Sequence, residues 1–251
     1  ATPYANVLNE AYKESLYPSN FICSLPESNE YFGPKAIWGS KYDEDYSGLN
    51  IIRTIPATEM TELKHLHKGE SFTLLPEFQK SVAWFLCAAA ILRKRGHKKP
   101  ISMLIHTTSI QNGHFEEYDT LRNWLIREGR NGKIISLCEQ VYSEEKDEFR
   151  LSDLKEGFPK YSKMDQVCDD FPDFSALRED IETLLGDIVN IEMGNEGELI
   201  YHENGIHLCV DNCRANKVAE EGTYLRVIYP SAEKLAEMKK APLFIVMGGN
   251  T

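Results

Sequence analysis

An α/β fold built around a mainly parallel sheet is what this sequence predicts, and three neighbouring segments predict it. From Pro76 to Arg95, the residues Phe78, Val82, Phe85, Ala89 and Leu92 recur at spacings of four, three, four and three, one apolar stripe along a helix. Ile101 to Thr107 is a short apolar run bounded by turn residues, the composition of a buried parallel strand. Glu116 to Glu128 returns to a helical pattern with Tyr118, Leu121, Trp124 and Leu125. Helix, strand, helix in succession is the rhythm of a sheet covered by helices.

Taken in order, the chain opens with a stretch rich in Tyr, Pro, Asn and acidic residues. Pro3, Pro18, Pro26 and Pro34 exclude long helices there beyond a short one near Asn6 to Lys13. Strands are expected at Phe21 to Leu25 and Leu49 to Ile55, so residues 1–75 read as an extension of loops and short strands before a main domain over 76–251. Pro76 suits the first turn of the long helix, while Arg93, Lys94 and Arg95 followed by Gly96 suit its last. From Cys138 to Asp173 the pattern dissolves into charge, and with a helix at Phe174 to Leu185 this predicts a charged helical insertion at about 138–185. Beyond it, Ile188 to Met193, Ile206 to Asn212, Tyr224 to Tyr229 and Leu243 to Met247 read as strands, with a short helix at Ala232 to Lys239. The last of these strands runs into Gly248-Gly249-Asn250 at the chain's end, and no Met opens the sequence. An internal slice of a larger protein is the expectation.

Composition narrows the function classes. The 251 residues are 42% hydrophobic and 27% charged, ordinary values for one or two globular domains. The longest apolar candidate, Val82 to Leu92, is too short to cross a bilayer, and the opening ten residues lack the pattern of a secretory signal. Six cysteines without paired spacing do not read as a secreted disulfide framework, so a reducing cytoplasm is expected. A net charge of −11 argues against gripping nucleic acid by bulk electrostatics, so any DNA contact must be local. No G-x-x-x-x-G-K-[ST] is present and no G-x-G-x-x-G opens a helix, which excludes a complete nucleotide motor or dinucleotide enzyme.

Four blocks carry a resemblance: ATPYANVLNE (Ala1 to Glu10), LYPSNFICSLPESNEYFGP (Leu16 to Pro34), SMLIHTT (Ser102 to Thr108) and FIVMGGN (Phe244 to Asn250). In that order and spacing they resemble the endonuclease family labelled the Z-one domain. The opening Ala1-Thr2-Pro3-Tyr4-Ala5-Asn6 is similar to the tail of the Ser/Thr-Ala-Thr element that closes the first RecA-like lobe of superfamily 2 helicases. The resemblance implies a RecA-like three-layer sheet, here a second lobe, accompanying a helicase module of restriction or DNA-defence type. It implies DNA and a missing ATP-binding lobe as partners, with ATP and Mg²⁺ belonging to the full-length protein and no membrane. In the family the Gly-Gly-Asn block continues into a Ser-Arg-Gly-Leu-Thr element, before which this sequence ends.

On that resemblance His106, Thr107, Thr108 and Ser109 lie at a strand tip that contacts the DNA backbone, with an imidazole and three hydroxyls for phosphate oxygens. The alternative is a histidine that satisfies buried backbone at a strand end. Thr2, Pro3, Gly248, Gly249 and Asn250 are placed close to nucleotide or phosphate, the paired glycines permitting close approach. Arg93, Lys94, Arg95, Lys98 and Lys99 form the one dense basic cluster, which suits either phosphate contacts or compensation of a helix end. Glu144-Glu145-Lys146 has an acid-x-Lys spacing, but within a charge run that reads as a solvated loop. His207, Cys209 and Cys213 lack a fourth ligand at zinc spacing and read as core residues. No catalytic or metal-binding residue is assigned. The leading expectation is a DNA-acting fragment of an ATP-dependent helicase or endonuclease, inactive alone. A self-contained protein-binding or assembly module is the alternative, and an autonomous metal-dependent nuclease the third.

Overall fold

The computed structural model describes residues 28–29, 48–98, 101–108, 111–148, 150–157, 159–162, 164, 171–187, 190–193, 206–210 and 243–247. In chain order these form α1 (Ala57–Leu66), α2 (Pro76–Lys94), β1 (Ile101–His106), α3 (Gln111–Arg130), α4 (Lys133–Glu148), α5 (Leu151–Gly157), α6 (Phe174–Asp187), β2 (Asn190–Met193), β3 (Ile206–Val210) and β4 (Leu243–Met247).

The long helix forms where the apolar stripe places it, and both of its ends follow from local chemistry. Pro76 occupies the first turn, where its missing N–H has no partner to lose. Glu59 of α1 reaches across so that its carboxylate accepts the N–H of Glu77 at 3.0 Å, capping that end from a neighbouring element. At the other end Gly96 adopts φ 82°, and the N–H groups of Gly96 and His97 donate back to the carbonyls of Arg93 and Leu92, each at 2.9 Å. That double closure is the Schellman pattern, and glycine takes the left-handed position without a Cβ penalty.

The core centres on α2, whose Val82, Ala83, Phe85, Leu86, Cys87, Ala89 and Ala90 have no exposed surface. A helix buried over so much of its circumference must be enclosed by other elements, and α4 and α6 pack along it. Ile134, Cys138, Val141 and Tyr142 of α4 and Leu177, Ile181 and Leu184 of α6 complete the contact. Tyr142 links the pieces: its hydroxyl donates to the Pro172 carbonyl, and its ring meets Phe171 edge-on at 6.2 Å and Phe174 at 5.8 Å.

Four short strands pair in parallel in the order β2-β3-β1-β4. Ile101, Met103 and Ile105 of β1 stand beside Ile206, Leu208 and Val210 of β3, and all six side chains are buried in the same core. The helix α3 lies against β2 and β3.

This is not the RecA-like three-layer sheet that the sequence and its resemblance led one to expect. Helices of 10, 19, 20, 16, 7 and 14 residues stand against strands of 6, 4, 5 and 5, so the described body is predominantly helical. Its centre is helix packed on helix rather than a sheet between two helical layers. The segment expected as a charged helical insertion at about 138–185 supplies part of that centre. Ile134, Cys138, Val141 and Tyr142 recur at helical spacing, so α4 buries one stripe while its charges occupy the opposite side. A count of charge along the stretch cannot see the stripe. The N-terminal extension is corrected as well: 49–55 forms no strand, and 57–66 is a helix. Arg53 lies against Glu145 of α4, its Nε donating at 2.7 Å, and Asn50 donates to Glu148 at 2.9 Å, which holds 50–53 to a helix instead of a sheet edge. The strands expected at 21–25 and 224–229 and the helix at 232–239 lie outside the described residues.

Candidate functional site

Two local structures meet at the C-terminal end of β1. Helix α1 stops at His67, its C-cap, and Gly69 with φ 69° then turns the chain, its N–H donating to Leu66 at 3.0 Å. The Gly69 Cα sits so near α3 that an added Cβ would lie 3.3 Å from the Glu116 carboxyl. On the other side β1 hands over to Thr107 and Thr108, and α3 begins at Gln111. The buried polar side chains among the described residues are Thr107, Thr108, His114, Glu117 and Thr120. All belong to this single stretch, which is where their local concentration becomes informative.

A hydrogen-bonded chain runs through it. Thr107 Oγ1 lies 2.8 Å from His67 Nε2 and donates to Glu117 Oε2 at 2.7 Å. A hydroxyl has one proton. With Glu117 ionised, that proton goes to its carboxylate and the oxygen accepts from the histidine, so Nε2 then carries the imidazole hydrogen and Nδ1 its lone pair. His67 is half-buried, and burial lowers its pKa below the ordinary imidazole value, which favours the neutral ring. Glu117 has no exposed surface; burial pushes its carboxyl up to about 7, against the lowering effect of the Thr107 hydrogen bond. Its second oxygen, Oε1, is buried and has no hydrogen-bond partner among the described residues.

Gly113 fixes the spacing of these parts. A Cβ there would stand 2.9 Å from the Thr108 methyl, 3.1 Å from His67 Cβ and 3.2 Å from His67 Cγ, so only glycine lets the first turn of α3 approach this closely. The same closeness bears on the nucleotide expected for the full-length protein. The β1–α3 connection reads Thr107-Thr108-Ser109-Ile110-Gln111-Asn112-Gly113, with one glycine, no lysine, and its glycine face filled by His67 and Thr108. It does not fit a triphosphate. Among the described residues no group of three or more His, Cys, Asp or Glu gathers in a way that holds a metal ion.

The expected strand-tip residues are thus part of this cluster only in part. Thr107 and Thr108 are buried in it, and Thr107 is engaged from both sides. His106 ends β1 in register with Met247, but its side chain is outside the described set, as is Ser109. The basic group lies at the opposite end of β1, since Arg93, Lys94 and Arg95 close α2 before the strand begins. Six strand residues separate the two groups by roughly 20 Å of backbone rise. Arg93 donates to the His97 carbonyl at 2.7 Å and Lys94 to the Ala176 carbonyl at 3.2 Å; Lys98 is exposed. Thr2, Pro3, Lys99, Gly248, Gly249 and Asn250 lie outside the described residues.

Elsewhere, Glu144 and Glu145 stand on α4 rather than in a loop, Glu145 paired with Arg53 and Glu144 bonded by Gln140 at 2.8 Å. His67, His114 and Glu117 were not singled out by sequence reasoning, yet a signal existed. Counting back from the buried Leu121 by four and seven gives Glu117 and His114, two polar residues on the apolar stripe of a helix. His67 had no such signal, because only the turn after α1 brings it to β1.

No helix among the described residues is long and apolar enough to cross a membrane. Comparison with curated proteins gives no match, and comparison with solved structures gives none either. The Z1 domain family matches residues 77–250, well over half of the chain, from the first turn of α2 onward. Thr107, Thr108, His114 and Glu117 lie within the matched region while His67 lies before it, and the chain belongs to the Z1 domain family.

Proposed function

We propose that this chain is the DNA-acting part of an ATP-driven helicase or endonuclease protein of restriction or DNA-defence type. In this reading it works on the nucleic-acid backbone and leaves nucleotide hydrolysis to an ATP-binding domain elsewhere in the protein. ATP and Mg²⁺ enter with that domain, and DNA is the substrate. The observation that carries the reading is the concentration of buried polar side chains at the C-terminal end of β1. Of this cluster the half-buried His67 imidazole, anchored by Thr107 and Glu117 behind it, is the group suited to phosphate oxygens. Support also comes from Z1 family membership. The net charge of −11 fits a local contact rather than a wrapped duplex. A cytoplasmic setting belongs to the same reading, supported by Cys87 and Cys138, two buried free thiols of the core.

The test uses the natural full-length protein with ATP and Mg²⁺ on supercoiled plasmid, alongside fluorescence anisotropy of this chain on labelled single-stranded and duplex DNA. Nicking or linearisation by the full-length protein, with salt-sensitive DNA binding by the chain and no ATP hydrolysis by the chain alone, is the expected result. A full-length protein that neither binds nor cuts DNA would end the reading in favour of a protein-binding module.

A further inference from the structure

We propose that His67 is the general base of a hydrolytic site at the C-terminal end of β1, with Thr107 and Glu117 as the positioning residues that keep its Nδ1 lone pair available. The proposal rests on the DNA-acting reading above and adds to it a reaction, a phosphodiester as substrate class, and a residue in a named role.

Geometry carries the inference. A carboxylate, a hydroxyl and an imidazole lie in series at 2.7 and 2.8 Å, running from a fully buried group to a half-buried one. With Glu117 ionised, the Thr107 hydroxyl selects the Nε2–H tautomer of His67, and Nδ1 makes no hydrogen bond among the described residues. A base needs one nitrogen anchored and the other unprotonated. A histidine serving structure alone would need only one anchor. It would not need a glutamate buried behind that anchor with its second oxygen lacking a partner, an arrangement that costs stability.

In the step, Nδ1 of His67 removes a proton from water as the water oxygen forms a bond to phosphorus. The opposite phosphorus–oxygen ester bond breaks. The departing alkoxide takes a proton from a second water, and the hydroxide left behind is neutralised by the proton that His67 returns to solvent. The net change is one ester bond and one water exchanged for an alcohol and a phosphomonoester end. Above about pH 7, where Glu117 is ionised, the Nε2–H bond to Thr107 and the Thr107 bond to Glu117 place negative charge behind the His67 imidazolium. Other titratable groups around the site are His114 and Glu116 on α3 and the His65–Glu70 pair at the end of α1, whose partners bond each other at 2.6 Å.

The experiment compares cleavage of supercoiled plasmid by the natural full-length protein and its variants from pH 5.5 to 9, with ¹⁵N–¹H spectra of the histidine side chains in this chain. Expected results are a loss of at least about 100-fold for His67→Gln with an unchanged denaturation midpoint, and a wild-type rate that rises with pH to a plateau. Thr107→Val should move the rising limb and mix the two tautomers of His67, and Thr107→Ser should restore both. Cleavage that survives His67→Gln, or a His67 protonated at Nδ1 at pH 8, overturns the assignment while leaving DNA action intact. Absence of all cleavage by the wild-type full-length protein overturns the assignment together with the endonuclease reading on which it rests.

Discussion

Glu117 is a carboxyl group with no exposed surface and one hydrogen bond, and its consequences for stability follow from linkage. Its pKa rises from 4.5 to about 7 on folding, so between those values the folded chain holds a proton that the unfolded chain has released. The stability associated with the protonated acid is full below pH 4.5, declines as pH rises through about 7, and is lost above it. Its size is roughly 3 kcal/mol, since each pKa unit corresponds to about 1.4 kcal/mol. Glu117→Gln removes the titration while keeping an acceptor for Thr107. In urea denaturation the variant should match wild type near pH 4.5 and exceed it by an amount that grows to that figure by pH 8. A difference that stays constant across pH would show that Glu117 is not the titrating group. A residue costly to ionise, yet linked through Thr107 to the His67 imidazole, fits a site whose chemistry is retained at the expense of stability.

At the scale of elements, glycines separate packing from propensity. Alanine normally stabilises a helix relative to glycine by about 1 kcal/mol. Gly186 in α6 has no atom within 4 Å of an added Cβ, so Gly186→Ala should raise stability by roughly 0.5–1 kcal/mol. Gly113 in α3 is the opposite case, because the new methyl would meet the Thr108 side chain at 2.9 Å and His67 at 3.1 Å. Forcing α1 and α3 apart should cost about 1–3 kcal/mol and outweigh the propensity gain. Thermal melts of the two variants should therefore move in opposite directions. The Gly113→Ala protein should also lose the single tautomer of His67, since that ring is what the methyl displaces. Equal shifts of one sign in both variants would contradict the close approach of α3 to the turn after α1.

For the whole molecule, the question is whether the charged-looking middle of the chain is part of the body or an attachment to it. Ile181 of α6 is fully buried and belongs to the cluster centred on α2. Ile181→Ala should cost about 2–5 kcal/mol, the range for a large aliphatic removed from a packed interior, and do so in a single cooperative transition. An insertion folded independently would instead give a small effect on the main transition. The segment over 50–53 extends this unity, since Asn50 and Arg53 are held to Glu148 and Glu145 at the far end of α4. Those exposed polar contacts contribute less than the apolar core does.

The sequence by itself determined where α2 begins and ends, because Pro76, the apolar stripe and Gly96 act within a few residues of one another. It likewise determined the apolar strand at Ile101, whose composition is a local property. Membership of the Z1 family was legible too, through short blocks such as Ser102 to Thr108. Only the tertiary structure decided that α4 and α6 enclose α2, since a stripe shared with charged neighbours declares itself only when a partner covers it. It alone brought His67, forty residues before Thr107, to the end of β1. Hydrogen bonds across such a separation depend on where a turn aims the chain, and no residue-by-residue preference encodes that meeting.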